Sequence, residues 1–177
     1  AAKYPQVAVE RIDVTSTEMI HSVAQKYHDQ PIDVLVNNAA AVEATFQADM
    51  EKVNIPYDKI DWDAARHDFD VNTLGPMRMV AAFEPNVERS KQKKIVNVTS
   101  LAGSLTRGLP GGIAMNYGSS KAALNKYSVL LSEQVKAKGV IVALVQPVFI
   151  ASKAGMENIK AAAPVDQEIA KLIRIID

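Results

Sequence analysis

Short runs rich in valine, isoleucine and leucine recur along this chain, with helix-length stretches between them. That alternation restricts the fold more than any other feature. The runs are Val7-Ala-Val-Glu-Arg-Ile-Asp13, Ile32-Asp-Val-Leu-Val36, Lys94-Ile-Val-Asn-Val-Thr-Ser100 and Val140-Ile-Val-Ala-Leu-Val145. The first alternates apolar and polar residues, as a half-buried strand does. The others are nearly continuous, as strands covered on both faces are. Between them, Thr15-Ser-Thr-Glu18 has the spacing of a capping box, and Met19, Ile20, Val23 and Ala24 then fall on one helix face. Trp62 to about Arg89 reads as helical with an interruption at Gly75-Pro76. Leu101 to Met115 reads as a loop, Tyr117 to about Lys138 as a helix capped by Gly139, and Val165 to Ile176 as a last helix. Strand–helix repetition of this kind makes βαβ units. The expected fold is therefore α/β, a doubly wound parallel sheet with helices on both faces, in one domain spanning 1–177.

Composition narrows the function. The chain has 20 Lys+Arg against 20 Asp+Glu, so it lacks the basic excess expected of a nucleic-acid or membrane-surface binder. Its longest apolar run, Val140 to Ala151, is too short to span a bilayer. The sequence has no cysteine, which excludes disulfides and thiolate metal sites and fits the cytoplasm. His21, His28 and His67 show no metal-ligand spacing, so no metal is expected.

In an open parallel sheet, ligands bind at the carboxyl ends of the strands. Those ends are Asp13-Val14, Asn37-Asn38-Ala39-Ala40, Thr99-Ser100 and Gln146-Pro147. Any one of them is explained by the turn preferences of small polar residues; the four together favour a site. Tyr117 and Lys121 add a second constellation, because a spacing of four puts both on one helix face. A phenol ionises near ~10, and a neighbouring ammonium lowers that value. A phenol so tuned is a general acid at neutral pH. The hydroxyl of Ser100 is suited to orient a carbonyl oxygen and stabilise its developing charge.

Asp13-Val-Thr15, Val34-Leu-Val-Asn-Asn-Ala-Ala40, Val71-Asn-Thr-Leu-Gly75, Ile95-Val-Asn-Val-Thr-Ser100 and Tyr117-Gly-Ser-Ser-Lys-Ala-Ala123 occur in one order over most of the chain. In this the chain resembles the short-chain dehydrogenase/reductase family, and most of all its carbonyl-reductase branch with sniffer and C-factor-like proteins. The resemblance implies a Rossmann-like sheet. It also implies that the N-terminal βαβ unit and the C-terminal strand are lacking, so that the domain is incomplete at both ends. It implies an oxidoreductase that transfers a hydride from NADP or NAD, with NADP favoured by the branch, to a ketone, aldehyde or quinone. Tyr117 would donate the proton, Ser100 would polarise the carbonyl, and Lys121 would lower the tyrosine pKa and hold the nicotinamide ribose. Asn72 would sit in a distorted helix and position a water linked to Lys121. Asp13 and Val14 would contact adenine. Asn38, Ala39 and Ala40 would line the cofactor, and Pro147, Val148 and Ser152 would flank the nicotinamide. Residues 150–164 occupy the place of a substrate lid. The implied partners are a small carbonyl or alcohol substrate and, through the two long helices, further copies in a homodimer or homotetramer.

The sequence departs from the family pattern in four places. The first glycine is Gly75, so no glycine-rich phosphate-binding turn is present. Ala40 stands where glycine is usual, and Val148 where a glycine follows the proline. Ser100 and Tyr117 lie farther apart than is common, a lengthening that a loop over Thr106 to Ile113 absorbs. These departures motivate an alternative: a catalytically impaired member acting as a nucleotide-binding or regulatory protein.

Overall fold

A computed structural model of the chain describes residues 5–41, 55–107, 114–147 and 164–176. Its elements are α1 (Thr17–Lys26), β1 (Val34–Asn37), α2 (Trp62–Phe69), α3 (Gly75–Glu88), β2 (Lys94–Val98), α4 (Met115–Val135), β3 (Ile141–Val145) and α5 (Val165–Ile176). The strands form a parallel sheet in the order β1-β2-β3. Asn37 stands opposite Asn97, and Val98 opposite Val145, so the three carboxyl ends reach one rim. This is the expected α/β, Rossmann-like architecture.

The core lies on one face of the sheet. Leu35 and Ile95 point into it from β1 and β2, and meet Ile20 of α1, Val80, Phe83 and Val87 of α3, and Leu131 and Val135 of α4. Ile20, Val87 and Ile95 are fully buried, and each such side chain contributes roughly 1.5–3 kcal/mol relative to exposure. The other face follows the period of two and is uneven. Val96 and Val145 are buried there, but Val36 and Ile141, on the two outer strands, are 46% and 56% exposed.

Three sequence expectations need correction. Residues 7–13 form no strand and pair with no ladder among the described residues. Side chains hold this segment instead: Glu10 accepts hydrogen bonds from Lys26 and from Tyr27 Oη, at the end of α1. Only Ile12 turns toward the core, while Val7 and Val9 are exposed. The cap of α1 is Ser16, whose Oγ accepts from Met19 N at 3.2 Å, rather than Thr15. The Thr15 hydroxyl and N–H both turn back to Asp13 Oδ1. At Gly75-Pro76 the helix is not broken. It widens into one π turn, Asp70–Leu74, and Pro76 then sits in the first turn of α3, just after the turn where the α-helical ladder is already irregular. The expected loop after β2 contains a short 3₁₀ turn, Leu101–Gly103. At the far end of α4, Gly139 takes φ +72°, as a helix-ending glycine does.

Candidate active site

The site is built where β2 ends against α4. Ser100 leaves the strand and caps the Leu101–Gly103 turn, accepting from Ala102 N at 3.2 Å. The turn lies directly on the backbone of α4. A Cβ on Gly103 would come within 2.7 Å of the Lys121 carbonyl carbon, and one on Gly118 within 2.9 Å of Ala102 O. Real Cβ atoms do not approach that closely, so two glycines permit the contact. It brings the Ser100 hydroxyl into hydrogen bonding with the Tyr117 phenol.

Lys121 is only 3% exposed, donates from Nζ to Val98 O at 2.9 Å, and lies 5.8 Å from the centre of the Tyr117 ring. Burial pushes its pKa down to about 8. The expected effect of Lys121 on Tyr117 is not what the structure shows. Burial raises the phenol above its ordinary value, the Ser100 hydrogen bond opposes this, and the charge of Asp68 raises it further. The reason is geometric. Lys121 Nζ is near the ring and spends a proton on Val98 O, and its own burial disfavours its charge. The phenol is held protonated, which is the state of a proton donor.

Asn72 sits inside the π turn and is fully buried. Its Nδ2 donates to Ala41 O at 2.8 Å and to Ser120 Oγ at 3.0 Å, and its Oδ1 accepts from Ala41 N at 2.8 Å. Thr73 Oγ1 donates to Ser120 O at 2.8 Å. The Asn72 side chain therefore fastens the segment after β1 to α4, one residue before Lys121.

The carboxyl end of β1 opens on a cleft of about 180 Å³ between Val14, Val36, Asn38, Ala39, Val71 and Met79. Gly75 makes the approach of Val14 possible, since a Cβ there would lie 3.0 Å from Val14 Cγ2. Arg78 holds the same segment, donating to Val14 O at 3.3 Å and pairing with Asp70 at 2.7 Å. Asn38, Ala39, Ala40 and Asp13 are exposed around this rim. The Asp13 carboxylate is held below its usual range by the two hydrogen bonds from Thr15. Pro147 follows β3 half-buried, whereas Val148, Ser152 and all of the expected lid except Pro164 lie outside the described residues. A flat aromatic base fits the mostly apolar cleft, with polar groups at its edge. The residues present thus suit the adenine end of a dinucleotide.

Sequence reading named Ser100, Tyr117, Lys121 and Asn72, and the structure brings all four to α4. It missed Asp68 and Asn125. Asp68 is 2% exposed and precedes Asn72 by one helical turn; Asn125 follows Lys121 by one turn. That spacing of four was the available signal.

A parallel sheet with a Ser, Tyr and Lys gathered at its carboxyl rim defines a dehydrogenase-like α/β protein, and the comparisons narrow the class. The family model for short chain dehydrogenase matches residues 2–163, and the chain belongs to that family. The chain is 30% identical over 147 residues to the C-signal of Myxococcus xanthus, covering 83% of this chain and 81% of that protein. It is 30% identical over 171 residues to an uncharacterized oxidoreductase of Schizosaccharomyces pombe, covering 96% of this chain and 64% of the relative. Among solved structures, NADPH-bound carbonyl reductase from chicken fatty liver superposes with a TM-score of 0.84 at 22% identity, covering 99% of this chain and 71% of that one. Carbonyl reductase Sniffer of D. melanogaster gives 0.83 at 19%, with 99% and 72% coverage. Among the described residues, no helix is long and apolar enough to cross a membrane.

Proposed function

We propose that the protein reduces a ketone, aldehyde or quinone carbonyl with NADPH or NADH, and that Tyr117 gives the proton. The observation that carries this is the contact of Ser100 with a half-buried Tyr117 whose pKa is raised, beside Lys121. The nicotinamide supplies the hydride when bound. The chain's own residues do the rest. Ser100 offers its hydroxyl to the carbonyl oxygen and orients it toward Tyr117. The Tyr117 proton passes to that oxygen as negative charge develops on it. Lys121 stands beside the emerging phenolate, ready to hold a ribose hydroxyl and to return a proton. Asn72 keeps the π turn against α4, so that the turn's backbone is available to a water beside Lys121. Val14, Asn38, Ala39 and Ala40 hold the adenosine side, with Asp13 at its edge, and Pro147, Val148 and Ser152 flank the nicotinamide.

NADP is favoured because NADPH occupies the chicken reductase and NADP a Burkholderia multivorans homologue of the same fold. A cytoplasmic homodimer or homotetramer is part of the same proposal, supported by Val129 and Leu130, which stand about half exposed on α4. The test is dinucleotide calorimetry with the full chain, followed by reduction assays over ketones, aldehydes and quinones. Turnover supports the reading. Tight binding with no turnover on any of the three classes assigns the protein to the regulatory alternative.

A further inference from the structure

The turn that carries Ser100 is fastened at both ends by one side chain. Thr99 Oγ1, on one side of Ser100, donates to Asn125 Oδ1 at 2.5 Å. Asn125 Nδ2 donates to Gly103 O at 3.1 Å, on the other side. Both halves of the amide are used, one accepting and one donating, which neither a carboxylate nor an apolar residue reproduces. Asn125 lies on the same face of α4 as Tyr117 and Lys121, two turns and one turn away. Thr99 is also tied into the sheet, its N–H donating to Val145 O at 2.8 Å. The amide of Asn125 therefore connects the rim of the sheet, the Ser100 turn and the helix of the proton donor. The glycine contacts at Gly103 and Gly118 set how near the turn comes to α4. They do not stop it sliding along the helix, which two hydrogen bonds of opposite sense do.

We propose that Asn125 is a positioning residue that fixes the Ser100 hydroxyl against the Tyr117 phenol by clamping both ends of the Ser100 turn to α4. Its kinetic consequence rests on the reduction reading above; its structural consequence does not. A displacement of about 1 Å at a reacting group lowers turnover by as much as ~10²-fold.

The experiment compares Asn125→Ala, Thr99→Val, their double variant and Ser128→Ala in the full chain. Ser128 is a control on the same helix. Its Oγ accepts from the buried Asn97 at 2.8 Å, a polar contact one turn farther from the site. Asn125→Ala is expected to lower kcat about tenfold to a hundredfold with the KM for the dinucleotide little changed. Thr99→Val is expected to lower it less, and the double variant no further than Asn125→Ala alone, because both act through one clamp. Ser128→Ala is expected to lose thermal stability and keep its kcat.

A second readout needs no turnover: the titration of Tyr117, followed by NMR of 13C-labelled tyrosine and assigned with Tyr117→Phe. Loss of the Ser100 hydrogen bond moves this titration upward in Asn125→Ala, with Lys121 and Asp68, the charged groups facing the phenol, untouched. If kcat and the titration both stay at wild-type values, or if the losses merely add and follow stability as in Ser128→Ala, the clamp is not a positioning device. If the wild-type chain reduces nothing but the titration still moves, the reduction reading falls and the clamp stands.

Discussion

The two halves of the sheet rim are built differently. At β2 and α4, Ser100, Tyr117 and Lys121 are set by backbone packed on backbone through Gly103 and Gly118 and by buried hydrogen bonds. At β1, the segment carrying Asp13 and Val14 forms no ladder and hangs on side-chain contacts: Glu10 to α1, Arg78 to Val14 O, and Val14 against Gly75. The first region has little freedom to adjust, as proton transfer demands. The second has more, and serves to hold a ligand. Substitutions should therefore cost activity steeply in the first region and mildly in the second.

Among substitutions that break the packing alone, the largest effect is expected at Gly103. A methyl group there meets backbone, not a flexible side chain. Gly103→Ala should destabilise by roughly 1–3 kcal/mol and lower kcat about a hundredfold as Ser100 is displaced; denaturant melts and steady-state kinetics check both. An intact kcat would show that the close packing does not set the site.

Lys121 comes next and separates stability from activity. Its folded-state pKa, about 8, is below the ordinary lysine value. Between about 8 and that ordinary value the unfolded chain binds the extra proton, so stability rises with pH there. Below about 8 the buried charge is a constant burden. Lys121→Met should raise the melting temperature at neutral pH, with the gain shrinking as pH rises toward the ordinary lysine value, and should abolish most turnover.

Asp68→Asn is smaller. Removing that charge lowers the Tyr117 pKa, so the loss of reductase activity at high pH moves to lower pH, and the reverse oxidation begins at lower pH. A pH–rate profile for both directions measures it. Glu10→Ala should be smallest: its contacts with Lys26 and Tyr27 are at the surface, kcat should not change, and any weakening should appear in dinucleotide affinity.

The same contrast explains what the sequence disclosed. Tyr117 and Lys121 were legible because a spacing of four on a helix is a local geometric fact. Ser100 and Asn38 were legible because strand ends in a parallel sheet share a rim. The segment 7–13 misled, because alternation describes which side chains face inward, whereas a strand also needs a neighbour for its backbone. Glu10 finds its partners on α1 only after folding. The spacing of four placed Asn125 on the face of Lys121 but not its role, because its partners, Thr99 and Gly103, are more than twenty residues away. The direction of the Tyr117 shift was misread, because spacing reports that Lys121 is near but not that burial weakens its charge and raises the phenol.

The central claim is that Tyr117 gives the proton from a preassembled, protonated state. Single-turnover hydride transfer from NADPH to a reducible carbonyl, followed by loss of dihydronicotinamide absorbance in wild type and Tyr117→Phe, tests it most directly. The account predicts a loss of about 10²–10⁴-fold in rate with dinucleotide binding retained. A Tyr117→Phe variant that transfers hydride at the wild-type rate would contradict it.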